Sequence, residues 1–358
     1  MLNKLVCLLF FLLLLGCQSK SELKIGVSAP LTGLTANLGQ EVIRGIELAA
    51  NESRNPFQLI IEDDQCDPKE GFTVAQKLVD EASVLAILGP VCTTAILASA
   101  PYIEEHKIPE ITTGMVLQKT ASAGDYHFSF LPEMGHQMRA IAVYAKAQGY
   151  SKIGALAVND DLGRESIAEL KKTLEDNGLS ADAEEYFDRS ESDFKPFLLK
   201  LLTAKLDALY LMGYAPNMVL IIKQANELNV QLPFLTWNLY QDSAVLQGLG
   251  SLAEQAVYTY PEDPQDLPVK AAFKKKFEEA YGSEPTLYAA NSYDSYKILA
   301  SAIRTCSKNR ECIKSQLYKI KGYEGANGFI TVDERGIGQR SEVSLKSVRN
   351  GAFVTLIH

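Results

Sequence analysis

Three observations predict an α/β protein made of two doubly wound parallel-sheet units. Short β-prone runs alternate with amphipathic helical stretches from Leu23 onward. A second alternation of the same kind begins after Pro132. The chain is also long enough for two ordinary domains, with 358 residues of which 47% are hydrophobic and 22% charged. Parallel neighbours require crossovers, and helical crossovers cover both faces of a sheet.

The run Leu23-Lys24-Ile25-Gly26-Val27-Ser28-Ala29 reads as a buried first strand. A helix over 38–51 follows, with Val42, Ile43, Ile46 and Ala49 at helical spacing. Strands at 58–62, 84–88 and 108–112 alternate with a helix over 71–81 and another opening at Thr93. After Pro132 the strands are 153–158, 181–187, 208–212 and 234–237, and the helices 136–148, 164–177, 194–204 and 216–228. Asn177-Gly178 suits a helix stop, because glycine takes left-handed backbone without steric cost. Beyond Pro261, helices return over 269–281 and 286–304. A turn at Asp333–Gly336 and a hairpin of 343–348 with 352–357 end the chain. The last third is too short for its own domain, so the chain is expected to cross between the units more than once.

Residues 1–16 read as a lipoprotein signal peptide. Lys4 precedes an unbroken apolar run, Leu5–Leu15, which at ~1.5 Å per helical residue reaches about half of a bilayer core. Leu14-Leu15-Gly16-Cys17 has the form of a lipobox, which makes Cys17 the lipidation site and 17–22 a short polar tether. The plainer alternative is a secretory signal with an incidental cysteine. The expected location is the extracytoplasmic face of a bacterial membrane, periplasmic or cell-surface, held through the lipid anchor. A net charge of −9 with no cationic cluster argues against a nucleic-acid partner.

Four cysteines remain past the anchor: Cys66, Cys92, Cys306 and Cys312. In an exported chain, pairing of neighbours would give Cys66–Cys92 and Cys306–Cys312. In the chain-entropy model these are worth ~3–4 and ~2 kcal/mol. Metal ligation is the competing reading, but no CxxC or HxxxH spacing accompanies it.

Several segments together resemble the type I periplasmic solute-binding proteins of branched-chain amino-acid (leucine/isoleucine/valine) ABC importers. They are Ile25-Gly26-Val27, Pro30-Leu31-Thr32-Gly33, Asp63-Asp64-Gln65-Cys66-Asp67-Pro68, Gly89-Pro90-Val91-Cys92-Thr93-Thr94, Ile111-Thr112-Thr113, Gly213-Tyr214, Tyr293-Asp294 and Phe329…Asp333…Gly336. The similarity spans nearly the whole mature chain, and its Asp-Asp-x-Cys-Asp-Pro element is the most specific. The resemblance implies a Cys66–Cys92 disulfide and two lobes joined by a three-strand hinge. Lobe 1 would take 23–133 plus 261–337, and lobe 2 would take 134–260 plus 338–358, with a solute held between them.

Independently of family, open α/β sheets bind ligands beyond the carboxyl ends of their strands, where helix N-termini point free N–H groups. Thr93, after the 84–88 strand, is placed to hold a ligand carboxylate. Its bland reading is a cap of its own helix. By resemblance, Gly114 and Val116 touch the head of the ligand, Tyr214 is a cleft tyrosine, and Leu38 and Leu162 line the cleft. Trp237 is a further apolar candidate. Two positions depart from the branched-chain pattern: Val116 lacks a hydroxyl that Thr113 could supply, and Asn238 replaces the carboxylate that meets the ligand's ammonium. Asp161, Asp242 and Asp294 are the acids that could take over. Their ordinary readings are a loop residue, a helix cap and a hydrogen-bonded interior residue.

The expected partners are a small-molecule solute and ABC permease subunits, with a ligand sensor of the same fold as the alternative. The sequence carries no Gly-x-Ser-x-Gly elbow, HExxH or phosphate loop, so neither catalysis, a cofactor nor a metal is expected.

Overall fold

The computed structural model describes residues 23–53, 57–181, 183–262, 265, 267–339 and 342–357. The expected signal peptide and Cys17 lie outside the described residues. Strand β1 (Leu23–Ala29) is an interior strand, its apolar run buried on both faces. Helix α1 (Ala36–Glu52) buries Val42, Ile43, Ile46 and Ala49, the stripe that the sequence presents at helical spacing. β2 (Phe57–Asp63) pairs with β1 in parallel.

Asp67 caps α2 (Pro68–Gln76) by accepting from the N–H groups of Lys69 and Glu70, and Pro68 opens the helix, where its missing N–H costs nothing. The single helix expected over 71–81 instead widens into a π turn at Lys77–Glu81. Then come β3 (Ala86–Leu88), α3 (Thr93–Glu105), β4 (Glu110–Thr112) and β5 (His127–Ser129). β4 starts two residues later than expected, after Pro109, which has no N–H to give a ladder. The five strands form a parallel sheet in the order β2-β1-β3-β4-β5. Ile87 joins the cluster under α2 and α3, while its neighbours Ala86 and Leu88 join the one that holds α1, so helices cover both faces.

The second sheet follows the same logic with α4 (Met134–Ala147), β6 (Ile153–Val158), α5 (Asp161–Asp176), β7 (Glu184–Phe187), α6 (Lys195–Leu202), β8 (Ala208–Met212), α7 (Ala215–Glu227), β9 (Phe234–Thr236), α8 (Ser243–Leu249) and β10 (Ala256–Pro261). The chain then returns to the first sheet through α9 (Pro268–Tyr281), α10 (Leu287–Cys306) and α11 (Arg310–Tyr318). A small antiparallel sheet of β11 (Tyr323–Gly325), β12 (Gly328–Val332) and β13 (Gly338–Gln339) comes next. Finally β14 (Val343–Arg349) and β15 (Ala352–Ile357) add an antiparallel edge to the second sheet, whose order is β15-β14-β10-β9-β8-β6-β7. Asn350 and Gly351 both take positive φ, 50° and 73°, as a two-residue hairpin turn requires. The chain thus passes between the two sheets three times: after β5, after β10 and before β14.

Both neighbouring cysteine pairs, Cys66–Cys92 and Cys306–Cys312, are disulfides, which leaves none of the four for a metal. No helix among the described residues is long and apolar enough to cross a membrane.

Candidate ligand site

At the carboxyl end of the first sheet, Cys92 is in extended conformation and Thr93 is the first residue of α3. The Thr93 side chain is therefore buried at the positive end of a thirteen-residue helix. The Cys66–Cys92 disulfide ties this end to the turn after β2, where Gln65 and Cys66 have φ of 52° and 58°. Asp64 holds that turn. One of its oxygens accepts from the Cys66 N–H at 2.8 Å and the other from the Ser28 hydroxyl at 2.8 Å. Burial pushes the Asp64 carboxyl up to about 6, outweighing both hydrogen bonds.

The second sheet brings Tyr214 to the same place. It follows β8 at the start of α7, and its hydroxyl lies 3.9 Å from Cys66 Sγ. That hydroxyl donates to Asp160 at 3.2 Å and accepts from Arg189 Nη2 at 3.0 Å. Arg189, in the loop after β7, also pairs with Asp160 at 2.9 Å and donates through Nη1 to the Cys66 carbonyl at 2.7 Å. Burial works against the guanidinium charge, but Tyr214 and Asp160 outweigh it and raise the Arg189 pKa. One side chain from the second sheet thus grips a main-chain oxygen of the first.

Asn238 opens the 3-10 turn Asn238–Gln241 after β9 and is buried. Its Oδ1 accepts from Gln137 Nε2 at 3.1 Å, and its Nδ2 donates to the Tyr288 hydroxyl at 3.0 Å. Gln137 is fixed in turn by the Thr259 hydroxyl, which donates to Oε1 at 2.7 Å. Gln137 Nε2 is also 4.0 Å from Met115 Sδ, which puts the Gly114-Met115 segment next to this network.

Asn238, Leu38 and Tyr288 line one cavity of about 440 Å³, together with Tyr260, Leu239 and Asp242. A small hollow of about 30 Å³ shares Leu38, Leu239 and Asp242 with it and adds Tyr214. Val116 lies elsewhere. Its carbonyl accepts from Met134 N–H at 2.8 Å, and it lines a separate hollow of about 450 Å³ with Glu133 and Arg335. Thr93, Gly114 and Leu162 are buried or near-buried outside the walls of these three cavities.

The three substitute acids have different surroundings. Asp161 pairs with Lys119 at 2.9 Å. Asp294 accepts from the N–H groups of Ala326 and Asn327 at 2.7 and 3.2 Å. Asp242 caps α8 through Ala244 N–H at 2.8 Å and also lines the cavity. Trp237 donates from Nε1 to the Gly213 carbonyl at 2.8 Å, which makes it part of the sheet's interior. Arg189, Asp160, Gln137 and Tyr288 were not singled out from sequence. Of these, only Tyr288 carried a readable signal, as an aromatic residue in the first turn of an expected helix.

A family model described as "Periplasmic binding protein" matches residues 22–342. The Leu/Ile/Val-binding protein homolog 2 of Brucella abortus is 26% identical over 336 residues, covering 91% of this chain and 90% of that one. The crystal structure of a leucine-binding protein from Thermotoga maritima superposes with a TM-score of 0.88 at 27% identity, over 93% of this chain and 97% of that one. An ABC-transporter solute-binding protein of R. palustris in complex with benzoate shares the fold, with a TM-score of 0.85 at 19% identity over 94% and 96% of the two chains.

Proposed function

The chain belongs to the periplasmic binding protein family, and on that premise we propose that it is the lipid-anchored receptor of an ABC importer, capturing a small amino acid-like, carboxylate or amide solute between its two sheets. The family and these relatives are solute-binding proteins, not enzymes. The observation that carries the reading is convergence. Cys66, bonded to the Cys92 that precedes Thr93, meets Tyr214 and Arg189 beyond the carboxyl ends of β8 and β7, and Tyr288, in the first turn of α10, meets Asn238 beyond that of β9.

In this reading the lobes are 23–133 plus 261–337 and 134–260 plus 338–358, closing about the three chain passages. Thr93 receives the carboxylate of the solute, Tyr214 and Asn238 face it from the other lobe, and Leu38 borders its apolar part. The carboxylate is the group shared by the leucine and benzoate of the two neighbours. The reading extends to Cys17 as the acylated N-terminus, which intact mass of the membrane-extracted protein would reveal.

Calorimetry of the mature protein against amino acids, amides, short carboxylates and aromatic acids tests the proposal. At least one carboxylate should bind, and Thr93→Ala should weaken it about 10-fold, the loss of one hydrogen bond to a charged group. If no compound in the panel binds, the receptor reading falls. If affinity is unchanged in Thr93→Ala, the hydroxyl has no such role.

A further inference from the structure

Four buried side chains form one hydrogen-bonded chain that runs from β10, at the second passage between the sheets, to the cavity wall. The Thr259 hydroxyl on β10 donates to Gln137 Oε1 at 2.7 Å, and Gln137 Nε2 on α4 donates to Asn238 Oδ1 at 3.1 Å. Asn238 Nδ2 then donates to the Tyr288 hydroxyl at 3.0 Å. Thr259 and Gln137 are fully buried, and Asn238 and Tyr288 nearly so.

A carboxamide can be turned end for end, and the groups around it fix which end points where. Two sets of neighbours fix Gln137. Its Nε2 also faces two sulfurs, Met134 Sδ at 3.6 Å and Met115 Sδ at 4.0 Å. A thioether only accepts, so it suits the N–H end of the amide and not the carbonyl end. On the other side, the Thr259 hydroxyl has the Thr236 carbonyl as its alternative acceptor, at 3.5 Å against 2.7 Å to Gln137. Reversing Gln137 would set an oxygen against the sulfurs and leave Thr259 the poorer bond. The orientation of Gln137 passes to Asn238, whose carbonyl is taken by α4 and whose amide is left for Tyr288.

What this pair offers the cavity is therefore donors alone. Asn238 Nδ2 keeps its second N–H, and among the described residues nothing accepts the Tyr288 proton. Both residues line the cavity of about 440 Å³. Burial raises the Tyr288 pKa by more than the Asn238 bond lowers it, so the hydroxyl stays protonated. A buried donor without an acceptor is costly, and an ammonium brought to it adds more donors instead of relieving it.

We propose that Gln137 is a positioning residue of the solute site. Held by Thr259 and the two methionines, it makes Asn238 and Tyr288 a pair of donors that takes an oxygen of the solute, from a carbonyl, hydroxyl or carboxylate, and disfavours an ammonium at this place. The inference rests on the solute-receptor reading above and narrows it.

The test uses pairs of acids that carry an oxygen or an ammonium on the same carbon: 4-methyl-2-oxopentanoate with L-leucine, 3-phenyl-2-oxopropanoate with L-phenylalanine, and 4-hydroxybutanoate with 4-aminobutanoate. Each is titrated by calorimetry into the mature wild-type protein and into Gln137→Met, Thr259→Val and Tyr288→Phe. In at least one pair the oxygen member should bind wild type about 10- to 100-fold tighter than the ammonium member. Gln137→Met frees the Asn238 amide to rotate and should bring that ratio close to one. Thr259→Val, which releases the far end of Gln137, should lower it in the same direction and decides the matter if Gln137→Met does not fold. Tyr288→Phe should weaken the oxygen member about 10-fold. A purely structural role for Gln137 would shift the melting temperature and leave the ratio alone. No preference for oxygen in any pair, or a wild-type ratio in whichever of the Gln137 and Thr259 variants folds, overturns the inference while the receptor reading stands. Binding by none of these probes also overturns it, and binding by nothing in the wider panel overturns the receptor reading as well.

Discussion

At the scale of single residues, Asp64 has the clearest thermodynamic signature. Its carboxyl is fully buried, with a pKa of about 6 against 3.8 for the free group, chiefly because burial disfavours the charge. The folded chain therefore binds this proton more tightly than the unfolded chain. That contribution is complete below pH 3.8 and is lost as pH rises through about 6. At about 1.4 kcal/mol per pH unit, the gap amounts to roughly 3 kcal/mol. Asp64→Asn should raise the melting temperature at pH 7.5 and flatten its dependence between pH 4 and 6. A variant that melts below wild type at pH 7.5 would refute the assignment. What could be read of the site from sequence divides by range. Thr93, Tyr214 and Asn238 could be named as candidates because each follows a recognisable strand. Arg189 and Gln137 were not, since their partners Cys66 and Asn238 lie 123 and 101 residues away, beyond any local pattern.

Among the elements, the packing of α1 on α10 sets a tight constraint. A Cβ at Gly45 would lie 2.1 Å from the Ala289 carbonyl oxygen, so the two backbones approach as only glycine permits. Helix propensity alone favours Gly45→Ala by about 1 kcal/mol. The contact reverses that sign, and the variant should lose about 1–3 kcal/mol of stability, read from its urea midpoint. A midpoint equal to or above wild type would mean that the helices can separate at no cost. Long elements were legible because period and punctuation agree: 153–158 and 208–212 are strands at the expected bounds. The elements that escaped have short signals. β5, β11 and β13 span three residues or fewer, too few to establish a period. β10 ends in Pro261, which reads as the start of a loop. Nothing in composition separates the π turn at 77–81 from the helix before it.

On the scale of the whole molecule, Arg189 joins Tyr214 in spanning the sheets at the disulfide turn. Replacing it removes a 2.7 Å bond to the Cys66 carbonyl and leaves Asp160 without its cation. Under the two-lobe reading, Arg189→Ala should release a bound solute about 10-fold faster in stopped-flow measurements, with a smaller change in association rate. Unchanged release would mean that closure does not depend on this bond. The α1–α10 contact also bears on folding. The Thr286 hydroxyl reaches Glu41 across 245 residues, and the Tyr293 hydroxyl reaches Glu52 across 241. Pairings so distant in sequence are slow to form, because the loop-closure entropy is spent before the contacts stabilise anything. The outer side of α1 cannot be packed until α10 has been synthesised, four-fifths of the way along the chain. A polypeptide still being threaded through a translocation channel would thus carry α1 without the helix that packs on it.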